Sequence, residues 1–462
     1  MNQEDAYDVV VLGGGAGGVP AAIRASQLGG KVAVVEGRKL GGQCMNLGCI
    51  PLGHKMAATH ILKSLSLGKV LGLNVGDIKT DPAALLKRQD ELIGFMRQGI
   101  SSLLKKKNIR VIEGNGRITG KGTLEVKGKS LSYKKIILAT GAQWHKPVFP
   151  GSELDGVVNT DLILTAREIP ERVLLFGESP WLIEIAQFLL GFGSKVTLTT
   201  PQKGILSEES KTITSRLRKV LKDANIAIKP KAVIEEVTKS KGGLKVALSC
   251  KEGQKEVVVD TIVTFNRTAA VKGLGLEAIG LDEDAPFLEV NEKTETAVEG
   301  VYAIGDLTAP PERHYSHRAA EMGIVAAENA MGEGTSLNPR LSTRAMFTYP
   351  EVAAVGLTPK EAKNQGYDVV VGAAPLSMNS LGMILVEDEG IVEVVADKTY
   401  GEILGVHIIG KNASEMIGQA VIAIQLEATF DDLAAVSFPH PTLSESVTEA
   451  VRDALGRAIY LP

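Results

Sequence analysis

The stretch that decides the fold lies near the start of the chain and reads Val9-Val10-Val11-Leu12-Gly13-Gly14-Gly15-Ala16-Gly17-Gly18. An apolar run leads directly into the pattern G-x-G-x-x-G, at Gly13, Gly15 and Gly18. In such a pattern one glycine makes the tight turn, the second lets a pyrophosphate approach the backbone, and the third lets helix and strand pack closely. The N–H groups of the helix N-terminus then face the phosphates. The stretch therefore predicts a strand, a turn and a helix that bind a dinucleotide.

A second apolar run, Lys31–Glu36, completes a β-α-β pattern with this turn. Glu36 closes the run 18 residues after Gly18, where an acid accepts a hydrogen bond from a ribose hydroxyl. The pattern predicts a Rossmann-like domain in which Gly13, Gly15, Gly18 and Glu36 contact the cofactor. By itself it does not distinguish FAD from NAD.

The bulk composition narrows the class of protein. A chain of 462 residues suggests about three domains. The formal net charge of -3 does not indicate a nucleic-acid or membrane surface, and the basic run Lys105–Lys107 is expected at the end of a helix. No apolar run reaches the roughly 18 residues of a membrane span, and the polar start Met1–Asp5 is unlike a signal or transit peptide. We therefore expect a cytoplasmic protein without nucleic-acid or membrane partners.

Further along, the β-α-β pattern occurs a second time. Val173–Phe176 and Val196–Leu198 read as strands around a helix at 180–191. A long amphipathic stretch at 81–107 predicts another helix, and the last part of the chain mixes strands and helices. No low-complexity linker separates these regions, so we expect them to pack together.

The three cysteines suggest a redox pair and a bystander. Cys44 and Cys49 lie five positions apart just after the first dinucleotide pattern, and a loosened helical turn would bring their sulfurs together. Two buried thiols are the alternative reading of such a pair. A zinc site is not expected, because no second pair with ligand spacing follows. Cys250, in the strand-like Leu244–Cys250, is expected to be a small buried side chain.

Several blocks along nearly the whole chain resemble those of the pyridine nucleotide–disulfide oxidoreductases, most of all the dihydrolipoyl dehydrogenase branch. The redox-disulfide signature of that family is similar to the block around the two cysteines. The blocks that carry the resemblance are Gly41–Pro51, Ala139–Ala142, Ala303–Asp306, Phe347–Val352, Val355–Thr358 and His440–Glu445.

The resemblance implies an α/β fold of two Rossmann-like dinucleotide-binding domains and a C-terminal α+β dimerisation domain. The implied segments are an FAD-binding segment with the cysteine pair (1–150), an NAD-type Rossmann domain (151–273), a second FAD segment (274–345) and the dimerisation domain (346–462). It also implies a homodimer with FAD, and further cofactor contacts at Gly42, Thr140, Gly141 and Asp306.

The same resemblance implies the catalytic residues. Cys44 would exchange with a dithiol substrate and Cys49 would face the flavin. Since the thiolate is the nucleophile, the substrate thiol needs a base, and His440 held by Glu445 would supply it across the dimer interface. The implied substrate is dihydrolipoamide or a lipoylated carrier protein, and the implied acceptor is NAD. Leu443 favours the dihydrolipoyl branch over the relatives of glutathione reductase.

The second β-α-β pattern departs from the family. Its turn reads Gly177-Glu178-Ser179-Pro180-Trp181-Leu182, in which Ser179 and Leu182 occupy two glycine places and an acid stands at 178. The next strand ends in Thr199-Thr200 instead of a ribose-binding acid, and Lys203 is only a weak indication of NADP. NAD binding is therefore doubtful.

A third departure concerns the flavin. The family has a lysine four places after the second cysteine, paired with a glutamate near flavin N5. Here Gly53 occupies that place, while the matching acid is present as Glu184. Lys55 lies two residues further on, and the sequence does not give the direction of its side chain.

Three functions remain open. One is an ordinary dihydrolipoyl dehydrogenase that uses NAD. The second has the same thiol half-reaction but passes electrons to another partner, such as ferredoxin or a flavoprotein. The third is a subunit that binds a lipoylated carrier without turnover, which the intact set of two cysteines, histidine and glutamate disfavours.

Overall fold

The computed structural model describes residues 6–177, 179–251, 253–310 and 313–462. Two features used above, the polar start Met1–Asp5 and the acid Glu178, lie outside the described residues.

The first sheet is built around the glycine-rich turn. Its strand β1 is fully buried at Val9, Val10 and Val11, as expected of a parallel strand covered on both faces. The strands run in the order β3-β2-β1-β6-β5-β4, with β3, β2, β1 and β6 parallel and β5 and β4 antiparallel. The elements are β1 (Ala6–Leu12), α1 (Gly18–Gln27), β2 (Val32–Glu36), β3 (Arg110–Glu113), β4 (Gly116–Gly120), β5 (Thr123–Val126) and β6 (Lys129–Leu138).

Three helices lie between β2 and β3 in the chain. They are α2 (Gly42–Leu47), α3 (Cys49–Ser66) and α4 (Pro82–Lys106). The Asp81 side chain accepts a hydrogen bond from Ala84 N at 3.0 Å and so caps α4. The basic run Lys105–Lys107 ends this helix, where cations favour the helix dipole. The helix predicted at 81–107 is confirmed.

The second domain repeats the parallel arrangement, in the order β11-β10-β9-β15-β8, and adds an antiparallel sheet β12-β13-β14. The predicted β-α-β unit is confirmed as β9, α6 and β10. A short strand, β7 (Ala142–Trp144), precedes this domain in the chain. The elements of the second domain are β8 (Val157–Asn159), α5 (Thr160–Thr165), β9 (Arg172–Phe176), α6 (Pro180–Gly191), β10 (Lys195–Thr200), α7 (Lys211–Asp223), β11 (Ala227–Pro230), β12 (Val233–Ser240), β13 (Gly243–Cys250), β14 (Gly253–Val259) and β15 (Thr261–Thr264).

One prediction in this region is wrong. Cys250 is half-buried instead of buried, because it ends β13 at the hairpin turn, where its Sγ donates to Gly253 O at 3.0 Å. Its position in a predicted strand is confirmed, and it is a free thiol.

The chain then returns to the first sheet through β16 (Arg267–Ala269), β17 (Val301–Ala303) and α8 (Ser316–Met331). Strand β16 pairs with β7, and β17 runs parallel to the end of β6. Helix α8 packs so closely on α1 that a Cβ atom on Gly323 would lie 2.2 Å from Gly17 O. Residues far apart in sequence therefore meet at the glycine-rich turn.

The last region is an antiparallel sheet in the order β18-β19-β22-β21-β20, with helices packed on it. Its elements are β18 (Arg344–Met346), β19 (Glu351–Gly356), α9 (Pro359–Asn364), β20 (Val369–Pro375), α10 (Ser380–Leu385), β21 (Ile391–Asp397), β22 (Ile403–Gly410), α11 (Ala413–Gln425), α12 (Phe430–Ala434) and α13 (Glu445–Ala454).

The predicted fold class, two dinucleotide-type α/β units followed by an α+β region, is confirmed. We propose the segment boundaries near 150, 273 and 345 as working limits. The first two fall between elements, whereas 345 lies within β18. Because β18 pairs with β19, a limit a few residues earlier suits the sheet better.

Candidate redox-active site

The three glycines of the first turn have different surroundings. Gly13 has a φ of +112°, and a Cβ atom there would lie 2.3 Å from Ala139 O. A Cβ atom on Gly18 would lie 1.9 Å from Gly13 O, so this position serves helix packing. At Gly15 the nearest atom would be Gly42 Cα at 3.6 Å, which leaves the backbone open to a ligand. These surroundings match the division of labour expected for a phosphate-binding turn.

Glu36 lies at the end of β2 and holds the turn. Its carboxylate accepts hydrogen bonds from Gly14 N and Arg38 N, both at 2.7 Å. It also lines the cavity that begins at the turn. The carboxylate therefore shapes the turn while remaining available at the cavity wall.

This cavity has a volume of about 1100 Å³, just above the usual range for small-molecule sites. Gly18 lies outside its lining, as its packing role requires. The other predicted cofactor residues all line it, namely Gly13, Gly15, Glu36, Gly42, Thr140, Gly141 and Asp306. Basic side chains also line it, which suits a ligand with phosphates: Arg38, Lys39, Arg97, Arg267 and Lys272.

Close to Asp306, in and behind the cavity wall, lie buried polar atoms that lack partners within the described chain. Arg267 is 3% exposed and its Nη2 lies 3.5 Å from Asp306 Oδ2. The His314 side chain is also 3% exposed, with Nδ1 at 3.6 Å from the same oxygen. Arg267 Nε and His314 Nδ1 have no hydrogen-bond partner among the described residues, and burial lowers the pKa of His314. Such orphaned polar atoms fit a hydroxylated, phosphorylated ligand, so the residues present fit FAD.

Cys44 and Cys49 lie at the junction of α2 and α3, which Gly48 separates. Cys44 lines the cavity, and both residues are free thiols in this structure. The Cys49 thiol donates a hydrogen bond to Cys44, which lowers the pKa of Cys44 to about 7 although burial opposes this. The same bond and burial raise the pKa of Cys49. Of the reduced pair, Cys44 is therefore the thiol that loses its proton more readily.

Sequence reasoning missed a further contact of this pair. Ser316 begins α8 and its Oγ lies 3.1 Å from Cys49 Sγ. No motif indicated this residue, because more than 260 residues separate it from the cysteines.

The structure brings His440 and Glu445 together. His440 Nδ1 lies 3.0 Å from Glu445 Oε1, and Glu445 Oε2 accepts from Thr442 N at 2.8 Å. The carboxylate thus fixes both the imidazole and the turn before α13. The His440 side chain is 67% exposed, and in the described residues its hydrogen bond goes to Glu445 and not to a cysteine. Within one chain the dyad and the cysteine pair remain separate.

The second β-α-β turn is closed by its own side chains. Ser179 Oγ accepts from Trp181 N at 3.3 Å and so occupies a donor at the start of α6. Leu182 is fully buried, and a Cβ atom on Gly177 would lie 3.0 Å from its Cδ1. At the end of β10, Thr200 Oγ1 accepts from Gln202 N at 3.2 Å. The positions where a pyrophosphate and a ribose would bind are therefore satisfied internally.

Three aromatic rings pack on one another beside this turn, and one of them contacts the loop between the cysteines. A Cβ atom on Gly48 would lie 2.5 Å from Trp181 Cη2, so the indole packs on the loop between the cysteines. Trp181 meets Phe265 edge to face at 5.9 Å, and Phe265 meets Trp144 at 5.3 Å. Trp144 Nε1 in turn donates to Asp161 Oδ2 at 2.6 Å.

Beyond these rings lies a crevice of about 400 Å³ at the carboxyl ends of β9, β10 and β15. This edge is where an open α/β sheet binds its ligand. Among the described residues no lysine or arginine lines the crevice. Its lining is mostly apolar: Pro147, Val148, Phe149, Phe176, Gly177, Ser179, Pro201, Val233, Ile234, Thr264, Phe265 and Asn266.

Lys55 and Glu184 do not pair with each other. Lys55 Nζ donates to Gln89 and lies 5.6 Å from the centre of the Phe188 ring, and burial lowers its pKa to about 8. Glu184 accepts from Phe347 N at 3.1 Å, and burial raises its pKa to about 8. Lys55 therefore does not pair with Glu184, and it does not replace the lysine that the family has at the position of Gly53.

In the ranges given above, no group of histidine, cysteine, aspartate or glutamate residues could hold a metal ion. None of the helices formed by these residues is long and apolar enough to cross a membrane.

Comparison with family models gives two matches that together cover most of the chain. Residues 7–334 match the model described as pyridine nucleotide-disulphide oxidoreductase. Residues 342–451 match the dimerisation domain of the same family.

The chain is also similar to individual proteins. It is 36% identical to a dihydrolipoyl dehydrogenase of Thermus scotoductus, over 98% of this chain and 99% of the relative. It is 33% identical to a dihydrolipoyl dehydrogenase of Bacillus subtilis, with the same shares covered. Among solved structures, LpdA from Mycobacterium tuberculosis superimposes with a TM-score of 0.88 at 23% identity, over 96% of this chain and 99% of that one.

Proposed function

The chain belongs to the pyridine nucleotide-disulphide oxidoreductase family and is thus an oxidoreductase, and we propose that it oxidises dihydrolipoyl groups through Cys44, Cys49 and a bound FAD. The observation that carries this proposal is the position of Cys44, which lines the same cavity as the phosphate turn and Asp306. A dithiol can exchange with the pair on one side while the pair passes electrons to the cofactor on the other. The named relatives support the dihydrolipoyl group as substrate.

In this proposal each residue has a stated task. Bound FAD would accept the electron pair from the dithiol. Gly15 and the start of α1 would hold its pyrophosphate, and Asp306, between Arg267 and His314, would accept hydrogen bonds from its sugar hydroxyls. Cys44 would form the mixed disulfide with the substrate, and Cys49 would be the sulfur that leaves.

His440 would take the proton from the substrate thiol. Its exposed side chain and its separation from the cysteines within one chain support a site completed by a second copy. The dimerisation-domain match supports a homodimer. Glu445 would hold the imidazole in orientation and stabilise its protonated form. Three cysteines are fewer than a secreted disulfide scaffold carries, so we place the reaction in the cytoplasm, on dihydrolipoamide or a lipoylated carrier.

The test is anaerobic mixing of the FAD-loaded protein with dihydrolipoamide, followed by flavin absorbance. We expect complete reduction, and none in Cys44→Ser. Cys250→Ser is the matched control, since that thiol bonds to Gly253 O away from the cavity. A flavin that stays oxidised in the unaltered protein would contradict the proposal.

A second candidate concerns the electron acceptor. The closed turn at Ser179, the Thr200 hydroxyl that bonds to its own loop, and the crevice without a basic residue all disfavour a dinucleotide. We propose that an acceptor other than NAD or NADP receives the electrons. The remaining alternative, a carrier-binding subunit without turnover, gives no reason for the bonded thiol pair and the His440–Glu445 dyad.

A further inference from the structure

Ser316, a polar residue outside the motif blocks described above, contacts the redox pair. Its Oγ lies 3.1 Å from Cys49 Sγ, and its hydroxyl lowers the pKa of both thiols. It also lines the large cavity together with Cys44. The hydroxyl therefore stands beside both sulfurs at the wall of the proposed cofactor site.

The hydroxyl is not needed for the local structure. Ser316 is the first residue of α8, but the helix begins after Tyr315, and no side chain caps it. The Cys49 sulfur is thus the partner that the structure gives to this hydroxyl. The free N–H groups at the start of this 16-residue helix add a positive potential at the same place.

The Ser316 hydroxyl is best suited to assist one step, the opening of the Cys44–Cys49 disulfide by a substrate thiolate. When a substrate thiolate attacks Cys44 Sγ, a new S–S bond joins substrate and Cys44, and the electron pair of the old bond moves to Cys49 Sγ. At that moment Cys44 is bonded to substrate and has no proton to share, so Cys49 leaves as an unprotonated thiolate. A lower pKa of the leaving thiol makes this exchange faster.

We propose that Ser316 is a catalytic residue that donates a hydrogen bond to the Cys49 thiolate as the disulfide opens. Ser316 keeps its proton throughout. The second substrate thiol, after deprotonation, then attacks the substrate sulfur of the mixed disulfide and expels the Cys44 thiolate. The substrate leaves as a disulfide and the enzyme holds the reduced pair. The negative charge of Asp306 acts on the other sulfur, since it raises the pKa of Cys44.

The proposal rests on the dithiol oxidation proposed above, so the test separates the two. The first measurement needs no dithiol substrate. The FAD-loaded protein is reduced by one equivalent of dithionite, and the alkylation of Cys44 and Cys49 by iodoacetamide is followed against pH by mass spectrometry. The long-wavelength absorbance of a thiolate next to oxidised flavin is followed in parallel.

Two matched pairs carry the comparison. Ser316→Ala removes the hydroxyl, whereas Ser316→Thr keeps it. Ser316→Val has the shape of the threonine variant without its hydroxyl, so the Thr/Val pair repeats the comparison at constant volume. Ser380→Ala is the control, because Ser380 is an exposed serine at the start of another helix, α10.

We expect the apparent thiol pKa to rise by about one to two units in Ser316→Ala and Ser316→Val, because a hydrogen bond to an anion is lost. In the second measurement, rapid mixing with dihydrolipoamide, the same variants should be about tenfold to a hundredfold slower at neutral pH. Ser316→Thr, which keeps a hydroxyl, should lie closer to the unaltered protein than Ser316→Val in both measurements, and Ser380→Ala should match the unaltered protein.

The inference is overturned if the variants without the hydroxyl titrate and react like the unaltered protein. It is also overturned if Thr and Val behave alike, since volume would then explain the effect. Failure of dihydrolipoamide to reduce the unaltered flavin would refute the proposed substrate, while the iodoacetamide titration would still decide the role of Ser316.

Discussion

The Trp181 indole lies against the backbone of Gly48, the residue that separates the two cysteine helices. A Cβ atom at Gly48 would lie 2.5 Å from Trp181 Cη2 and 3.3 Å from Cζ3. This contact joins the second domain directly to the loop between Cys44 and Cys49. It also places a large aromatic ring on the side of the redox pair that faces the second domain.

The contact predicts the effect of filling the space at Gly48. Gly48→Ala would force the indole or the loop to move, and overpacking of this kind costs about 1–3 kcal/mol. We expect a lower denaturation midpoint in urea and altered tryptophan fluorescence. Gly53→Ala, in the adjoining helix α3, is the control: a Cβ atom there meets nothing within 4 Å, and alanine favours a helix interior over glycine by about 0.5–1 kcal/mol. Equal urea midpoints and equal tryptophan fluorescence in the two variants would contradict the contact between Trp181 and Gly48.

The thiol assignment predicts a single disulfide in the oxidised protein. Cys44 and Cys49 already share a hydrogen bond, whereas Cys250 lies at the end of β13 and bonds to Gly253 O. Thiol mapping by mass spectrometry before and after reduction should find Cys44 and Cys49 bridged and Cys250 free. A bridge to Cys250 from either residue would refute the assignment.

The hydrogen-bonded pair of His440 and Glu445 predicts that His440→Ala loses most of its dithiol oxidation activity. A positioned base contributes about 100- to 10,000-fold, so rapid-mixing reduction by dihydrolipoamide should slow by that factor. FAD content should not change, because His440 does not line the cofactor cavity. Flavin reduction at nearly the original rate would remove His440 from the mechanism.

A separate experiment tests whether His440 of one chain acts on the cysteine pair of the other chain. Mixing Cys44→Ser chains with His440→Ala chains produces hybrid dimers in which one of the two sites has every residue, provided that His440 acts across the interface. Random exchange should then restore about one quarter of the original rate, from two nearly inactive parents. No recovery after proven exchange would place both groups within one chain.

The buried carboxyl group of Glu184 should make the stability of the folded protein depend on pH. Burial raises its pKa from 4.5 to about 8 in the folded protein, so between these values the folded state binds a proton that the unfolded state has lost. The stability contribution of Glu184 therefore decreases as pH rises from about 4.5 to about 8, and then stays constant.

Glu184→Gln keeps an oxygen for the Phe347 N–H but cannot ionise. We expect this variant to match the original near pH 4.5 and to exceed it at pH 8, by at least about 1 kcal/mol in the free energy of unfolding. Urea denaturation at the two pH values measures the difference. An equal gain at both would show that ionisation is not the cause.

The sequence predicted the parts of the site whose residues lie close together along the chain. The turn from Gly13 to Gly18 and its acid Glu36 belong to one β-α-β pattern whose spacing indicates their geometry. The His440–Glu445 pair lies within six residues, and the family resemblance indicated its role. Arg267 and Ser316 reach the cavity through β16 and the start of α8, and no local pattern indicates such a meeting. The direction of Lys55 depended on Gln89 and Phe188, which come from other helices.

The last prediction concerns the pyridine nucleotides. Ser179 and Thr200 bond to their own turns, Leu182 fills the space beside Gly177, and Pro180 removes one N–H at the start of α6. A lost hydrogen bond to a charged group costs about 1.5–3 kcal/mol, which weakens binding by about tenfold to a hundredfold for one contact. Several such contacts are lost together here, and the Trp181 ring covers the loop between the cysteines.

We therefore expect NADH and NADPH to bind weakly and to reduce the flavin slowly, while dihydrolipoamide reduces it well. Anaerobic titration of the oxidised protein with each reductant, followed by rapid mixing, separates affinity from rate. Trp181→Ala tests the covering ring alone: it should speed reduction by NADH only slightly, because the phosphate and ribose positions remain closed. Stoichiometric flavin reduction at micromolar NADH, complete within about a second, would show that the second domain still binds a dinucleotide through other contacts.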